Sequence, residues 1–575
     1  MSIHDIRDAR RALVSTSRVG LAPQAAMYLR VPPWKAEALA DEADLKGDIS
    51  SARIPRRKLL RYNAQDCVYT AQVWERQREE LYNEEPADSP RRVRLYKQQL
   101  RLAQVAGEMS FRGFPVDQAR RKELAKELDA IARARTEELM STLHGYCPAK
   151  VLELDDKSKP GPYLRISRKG GVNEHDLRAL LFSQCKRKGL PSFDLPVPED
   201  DHSWTESGLP SVAKNALLTL WAQPGFPNEL KPILRACWKV DAPIKALSTF
   251  VMSEKLDNRI GPDGYLHAAF NSCGTETGRW SCSDFNLFNL SEEKSAEDAD
   301  LRGELPSMRS FLRAPKGYTI VHRDFSGIEL EMLAEVSGDK LLRKMLDSGH
   351  DVHSMTVVEW FGLPFPEIAP GKKLKDYVPK GIRRQAKVVR FASNYRAGLP
   401  TVFLKVLESD QEAKWENVEG LHKLFVKHHT GITGGDFGGD GWWQKSQEQA
   451  ETVGYNDTAL MERRRYYPAG EKPKPTDTAN YRVQGTAADV ANITMVGYDE
   501  SDGMKHGLYY QLKKHFPKAW LAMHTYDSFD VICPERDAKG VDDLTLTCMS
   551  RAHRVGARDH SFPSDGKTAP YWNEV

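Results

Sequence analysis

VHRDFSGIELEML (residues 321–333) begins as an apolar, strand-like run and ends on a lone aspartate, Asp324, before the pattern turns helical. A second run of this kind, MHTYDSFDVI (523–532), carries Asp527. Each carboxylate is therefore expected at the end of a buried strand, where its position is fixed. Fixed oxygen ligands suit hard cations, and Mg²⁺ takes few protein carboxylates because water and substrate phosphate complete its shell. Two ions roughly 3.5 to 4 Å apart can clamp the attacking and leaving oxygens of an in-line phosphoryl displacement. The two aspartates are thus the expected seat of a pair of Mg²⁺ ions, with Mn²⁺ as a substitute.

A third segment, RRQAKVVRFASNY (383–395), supplies complementary charge. Arg383, Lys387, Phe391 and Tyr395 recur every four residues and share one helical face. Two cations followed by two aromatics can neutralise a triphosphate and then contact a base. Phosphoryl transfer asks little of a protein beyond positioning and charge stabilisation. The blander reading, a solvated basic face, fits a lone RRxxK and loses ground beside two strand-end aspartates.

These segments carry a resemblance to the bacterial DNA polymerase I family (family A), in particular its phage members, running from about residue 20 to near the C-terminus. DFSGIEL (324–330) resembles motif A, the 383–395 helix motif B, and YDS (526–528) stands where motif C usually reads HDE. TETGRWSCSDFNLFNL (275–290) is similar to the template- and primer-binding element, and NYRVQGTAADV (480–490) to the NxxxQGTAAD segment. The resemblance implies a multi-domain α+β right-hand polymerase fold of palm, fingers and thumb. It implies template-directed addition of deoxynucleotides to a primer 3′-hydroxyl, with primer-template DNA and dNTPs as partners.

Residue by residue, it implies that Asp324 and Asp527 hold the metals and that Arg383 and Lys387 grip the triphosphate, Lys387 counted with the catalytic set. Phe391 would stack near sugar and base, Tyr395 would close over the nascent pair, and Glu329 would exclude a 2′-hydroxyl. His353 matches a phosphate-contacting fingers histidine, although a structural histidine fits that position equally. Arg279, Asn480 and Gln484 match positions touching primer, template or minor groove. Lys239, with Arg235 and Lys245, would track the phosphate backbone without reading sequence. The chain departs from the family at Tyr526 and Ser528 in motif C, Gly327 and Glu331 in motif A, and Arg390 and Ala392 in motif B. None of these replaces an expected metal ligand.

Upstream, RRKLLRYNAQDCVYTAQVWERQREEL (56–81) resembles the end of a 3′–5′ exonuclease domain, with Tyr62 and Asp66 fitting its YxxxD motif. The family's other exonuclease carboxylates are not found before them, so a partial, ribonuclease H-like domain without proofreading is expected, and a separate polypeptide is a candidate for its missing half. The expected division is 1–90 partial exonuclease, 91–260 thumb and connections, 261–345 and 496–575 palm, and 346–495 fingers.

Composition excludes little. The chain has 575 residues, enough for several domains. Its 83 basic and 80 acidic residues leave a net charge of +3, so a nucleic-acid surface must come from segregated charge. The eight cysteines show no zinc spacing and read as reduced cytoplasmic thiols. No apolar run is long enough for a membrane span, and no signal-peptide pattern opens the sequence. HHTGITGGDFGGDGWWQ (428–444) carries six glycines and is expected to be a mobile or inserted loop. Two rivals remain: a single-subunit RNA polymerase, which Glu329 and the QGTAAD segment disfavour, and a catalytically silent DNA-binding subunit.

Overall fold

A computed structural model describes residues 21–31, 56–82, 89–144, 152–154, 164–166, 173–185, 192–200, 203–272, 274–293, 303–435, 439–468, 470–555 and 558–575. At its centre is a four-stranded antiparallel sheet built from β1 (Tyr318–Phe325), β2 (Trp520–Thr525), β3 (Ser528–Pro534) and β4 (Ser564–Ala569), in the order β2-β3-β1-β4. Every residue of β3 is buried, as its apolar SFDVICP run requires of a central strand. The sheet joins strands some two hundred residues apart, and the intervening chain is mostly helical.

In chain order, the helices that frame this sheet begin with α1 (Leu21–Leu29) and α2 (Arg56–Tyr82), which pack on each other through Ala25 and Val73. Tyr62 and Asp66 lie one turn apart on α2, and burial and the Asp66 carboxylate push the Tyr62 hydroxyl up to about 12. Among the described residues no strand precedes Phe114. Much of the stretch 1–90, expected as a partial exonuclease, lies outside the described residues.

Next come α3 (Ser89–Arg112) and α4 (Gln118–His144). The first, within the stretch read as thumb, packs on β2 of the palm sheet. The second pairs along its length with α7 (Leu230–Ala246), after α5 (Glu174–Leu181) and α6 (Lys214–Trp221). This α4–α7 pair is the elongated element expected from Leu and Ala at helical spacing. Lys239 on α7 sits 3.8 Å from Glu138 of α4, and Arg235 is engaged by Glu412 of the fingers and by the Trp221 ring. Two of the three cations expected to track a phosphate backbone are thus held by protein carboxylates in this state.

After β1 the chain enters α8 (Ile328–Ser337), α9 (Lys340–Asp347), α10 (Val352–Phe361), α11 (Lys380–Asn394), α12 (Leu399–Ser409), α13 (Trp415–His428), α14 (Trp442–Val453) and α15 (Pro475–Val496). Helices α10, α12 and α13 pack around α11. The long α15 lies against α8, α14 and α3, so it ties the fingers to the palm. Helix α16 (Ala538–Met549) covers the sheet, where Arg323 of β1 forms a two-point ion pair with Asp542.

Part of the glycine-rich segment expected as a mobile or inserted loop packs closely, and its residues 436–438 lie outside the described ones. A Cβ on Gly431 would come within 2.6 Å of the Asp339 backbone, and one on Gly441 within 2.2 Å of the Gly434 nitrogen. These glycines permit close backbone approach. No described helix is long and apolar enough to cross a membrane.

Candidate active site in the palm cleft

Asp324 and Asp527 meet because of strand register. Ser528 is the cross-strand partner of Asp324, and Asp527 immediately precedes it in the two-residue turn between β2 and β3. Phe325 N–H donates to the Asp527 carbonyl at 3.2 Å, which fixes the turn against β1. The two carboxyl groups are within hydrogen-bond reach of each other. Burial first, then the Asp527 charge, raises the Asp324 pKa, and burial likewise raises that of Asp527. Two buried carboxylates at this separation do not both ionise freely.

The turn carries strain. Tyr526 has φ 60°, a left-handed conformation rare for a bulky residue. Its ring is anchored, packing on Phe288 at 5.6 Å and lying under the Arg279 guanidinium at 5.1 Å. His524, fully buried and pushed down to about 4, is neutral near pH 7 and donates from Nδ1 to the Ser528 carbonyl at 2.9 Å. Ser528 itself donates to the Thr525 carbonyl at 3.2 Å, so its hydroxyl is spent on the hairpin. Among the described residues no third acidic, histidine or cysteine side chain completes a metal-binding group.

The donor set nevertheless fits divalent cations. Two hard-oxygen carboxylates, each destabilised in its ionised form by burial, would be relieved by positive charge, and Mg²⁺ accepts two protein ligands with water and phosphate as the remainder.

Beside the pair, Glu329 on the first turn of α8 receives two partners. Arg279 from the 275–290 segment forms an ion pair with its Oε1, and the Tyr395 hydroxyl at the end of α11 donates to its Oε2. Gln484 on α15 also bonds Tyr395. Arg279, Glu329, Tyr395 and Gln484 therefore form one network bridging palm and fingers. Asn480 sits one turn earlier on α15 and its Oδ1 is buried without a partner.

The rest of the α11 face is more open. Lys387 is exposed, Phe391 is 39% exposed, and the Arg383 side chain is partly buried. His353 on α10 packs against Phe391 at 5.5 Å, and burial followed by the Arg390 and Lys387 charges pushes it down to about 4. In this state it is a neutral imidazole, and its buried Nδ1 has no partner.

Sequence reading missed the braces. Trp280 Nε1 donates to Asn492 of α15 at 2.9 Å, and Asn492 donates to the Gly278 carbonyl at 3.2 Å, which pins the loop carrying Arg279. Buried Arg463, 3.5 Å from buried Asp489, lies against Gly278, where a Cβ would meet its Nε at 2.9 Å. The RRRYY run at 463–467 was the available signal.

The structure thus brings two buried carboxylates together at one end of the two inner strands of a four-stranded sheet, with a long helical stretch between those strands in sequence. A model of "DNA polymerase family A" matches residues 174–574, so the chain belongs to that family. Its curated relatives include the thermostable DNA polymerase I of Thermus aquaticus, 30% identical over 51% of this chain and 32% of the relative. DNA polymerase I of Chloroflexus aurantiacus is 24% identical over 93% of this chain and 49% of the relative. The chain thus spans half or less of these relatives' length. Among solved structures, the POL domain of Pol1 from M. smegmatis, in complex with DNA primer-template and dNTP, superposes with a TM-score of 0.67 at 18% identity, covering 99% of this chain and 81% of that one. That likeness establishes the fold.

Proposed function

We propose that this chain is a DNA-directed DNA polymerase that adds deoxynucleotides to a primer 3′-hydroxyl. The observation that carries the reading is the register that joins Asp324 to Asp527, with α11 linked to the same region through the hydrogen bond from Tyr395 to Glu329. Asp324 and Asp527 would hold two divalent ions, which supply activation of the primer hydroxyl and charge relief for the leaving pyrophosphate. Arg383 and Lys387 draw the triphosphate to α11, Phe391 offers a face to sugar and base, and His353 supports that face. The Tyr395–Glu329 contact closes the pocket on the ribose side, where Glu329 excludes a 2′-hydroxyl. Arg279, Asn480 and Gln484 line the primer-template side, and Lys239 belongs to the arm that tracks the backbone.

The division into thumb (91–260), palm (261–345 and 496–575) and fingers (346–495) is part of this proposal. So are a role in phage DNA replication in the host cytoplasm, and an exonuclease-derived 1–90 segment that does not proofread on its own. A separate polypeptide completing that segment would co-purify with the chain. Release of a 3′-terminal label from a mismatched primer would refute the absence of proofreading. The central test is primer extension with Asp527→Asn. Loss of extension with primer-template binding retained is expected, and full activity would overturn the assignment. Extension with ribonucleotides as efficient as with deoxynucleotides would favour an RNA polymerase.

A further inference from the structure

Helix α11 is tied to its neighbour α10 at both ends of its cationic stretch. At one end Arg383 donates from Nε and Nη2 to the two oxygens of Asp351, at 2.9 and 2.8 Å, and from Nε to Ser354 Oγ at 3.1 Å. Two turns on, the fully buried Arg390 guanidinium donates from Nη1 to Thr356 Oγ1 at 2.8 Å and to the Val352 carbonyl at 3.4 Å. Its remaining nitrogens, Nε and Nη2, find no partner. A buried guanidinium held by so few acceptors is costly unless the two helices keep this arrangement. The His353–Phe391 contact lies beside this second tie. Three contacts on two helices make α10 and α11 a unit, so Asp351 accompanies Arg383 in any motion of α11.

Asp351 has a second task that fixes it in turn. It precedes α10 as its N-cap and accepts from the Ser354 N–H at 2.8 Å and from the Ser354 hydroxyl at 2.5 Å. The carboxylate is thus immobilised by the end of a helix, and it presents both oxygens to one edge of a guanidinium. A two-point contact of this kind fixes the plane of the arginine fork as well as its position. No described residue takes a hydrogen bond from the opposite corner, Nη1, which stays available to an anionic oxygen. Burial opposes ionisation of Asp351, but its Arg383 and Ser354 bonds outweigh this and hold it well below the usual carboxylate range.

We propose that Asp351 is a positioning residue for the incoming nucleotide: it holds the Arg383 fork so that its free corner faces the triphosphate. This rests on the reading of Arg383 given above. Without Asp351 the arginine side chain must be ordered by the nucleotide itself, and that entropy is charged against binding.

The test is the dependence of primer extension on deoxynucleotide concentration in Asp351→Asn. Asparagine caps helices as well as aspartate, so the change removes the charge and one face of the fork contact while keeping the cap. The expected result is a KM for dNTP raised about tenfold, as for loss of one charge-assisted hydrogen bond, with kcat little changed and a lowered thermal midpoint, since the bonds that depress the Asp351 carboxyl also stabilise the fold. In an Arg383→Ala background, Asp351→Asn should add nothing further, because the two changes remove one interaction. An unchanged KM overturns the proposal, and so does equal loss in both backgrounds, the mark of a merely structural cap. A lowered KM also overturns it, since the carboxylate would then be withholding the arginine. If Asp351→Asn does not fold, Asp351→Ser, another capping residue, is put through the same cycle. An Arg383→Ala enzyme with normal KM would instead sink the reading of Arg383, leaving a distinct signature.

Discussion

The palm and the fingers hold their charged groups by opposite means. In the palm, backbone register does the work: β1 and β3 fix Asp324 and Asp527 through cross-strand bonds, and like charges are forced together under burial. In the fingers, cations ride on one helix and are oriented by side chains of the neighbouring α10 and its N-cap, Asp351 for Arg383 and Thr356 for Arg390. The palm stores repulsion that a cation can discharge, while the fingers store attraction that an anion must share. That difference fits a rigid site for metals beside a movable site for substrate.

Removing one palm charge should produce the largest effect. Asp324→Asn or Asp527→Asn is expected to slow single-turnover extension by at least about 10³-fold, the scale of losing a centre of transition-state charge stabilisation. The metal-free protein should at the same time become more stable, since like-charge repulsion is removed. Both carboxyls titrate higher folded than unfolded, so the folded state holds more protons above the ordinary carboxylate range. Wild-type stability in chelator therefore falls as pH rises from that range toward neutrality, and Asp324→Asn flattens the fall. Denaturant midpoints between pH 4 and pH 7 measure it. A variant both inactive and destabilised across that window would mean that the palm pair is structural.

In the fingers, Lys387→Ala should act on substrate use alone. The ammonium is exposed, so its loss leaves the fold intact. The KM for dNTP should rise by roughly ten- to a hundredfold, the range for a hydrogen bond to a charged group. An equal fall in primer-template affinity would shift Lys387 from nucleotide to DNA and blur the division between the two regions.

The two regions were also unequally legible. The aspartate pair was readable because a strand-end aspartate after an apolar run has one plausible placement, and the two runs do pair in one sheet. The α11 face was readable because a four-residue repeat determines which side chains align. What escaped was anything defined by contact across elements. Asp351 was visible as a polar residue opening an apolar helix, yet its grip on Arg383 depends on how α10 meets α11, which spacing within either segment does not encode. Arg390 read only as a departure from the family, and its burial against Thr356 explains it. The glycines at 431, 434 and 441 suggested mobility because composition does not tell freedom from close approach. Tyr62 and Asp66 share a helix, and one turn of spacing within a helix does not by itself tell a site from a solvated face.

The smallest expected effect lies where the regions touch. Tyr395 ends α11 and donates its hydroxyl to Glu329 at the base of the palm, while Arg279 holds the other oxygen of the same carboxylate. Tyr395→Phe keeps the ring and removes one donor from a carboxylate that retains its ion pair. The hydroxyl is held un-ionised by burial and by the Glu329 charge, so the change removes a neutral donor and its loss should be modest. A decrease of about tenfold or less in kcat/KM for dNTPs is expected. Discrimination against ribonucleotides should fall by a similar factor if Glu329 has the role proposed for it, because it then has one fewer constraint fixing it. Arg279→Ala, by contrast, unpairs a partly buried carboxylate and frees the Tyr526 ring beside Asp527, so its loss should exceed that of Tyr395→Phe. If the order is reversed, the fingers rather than the 275–290 loop set the position of Glu329, and the boundary between the fixed and movable halves of the site shifts into the palm.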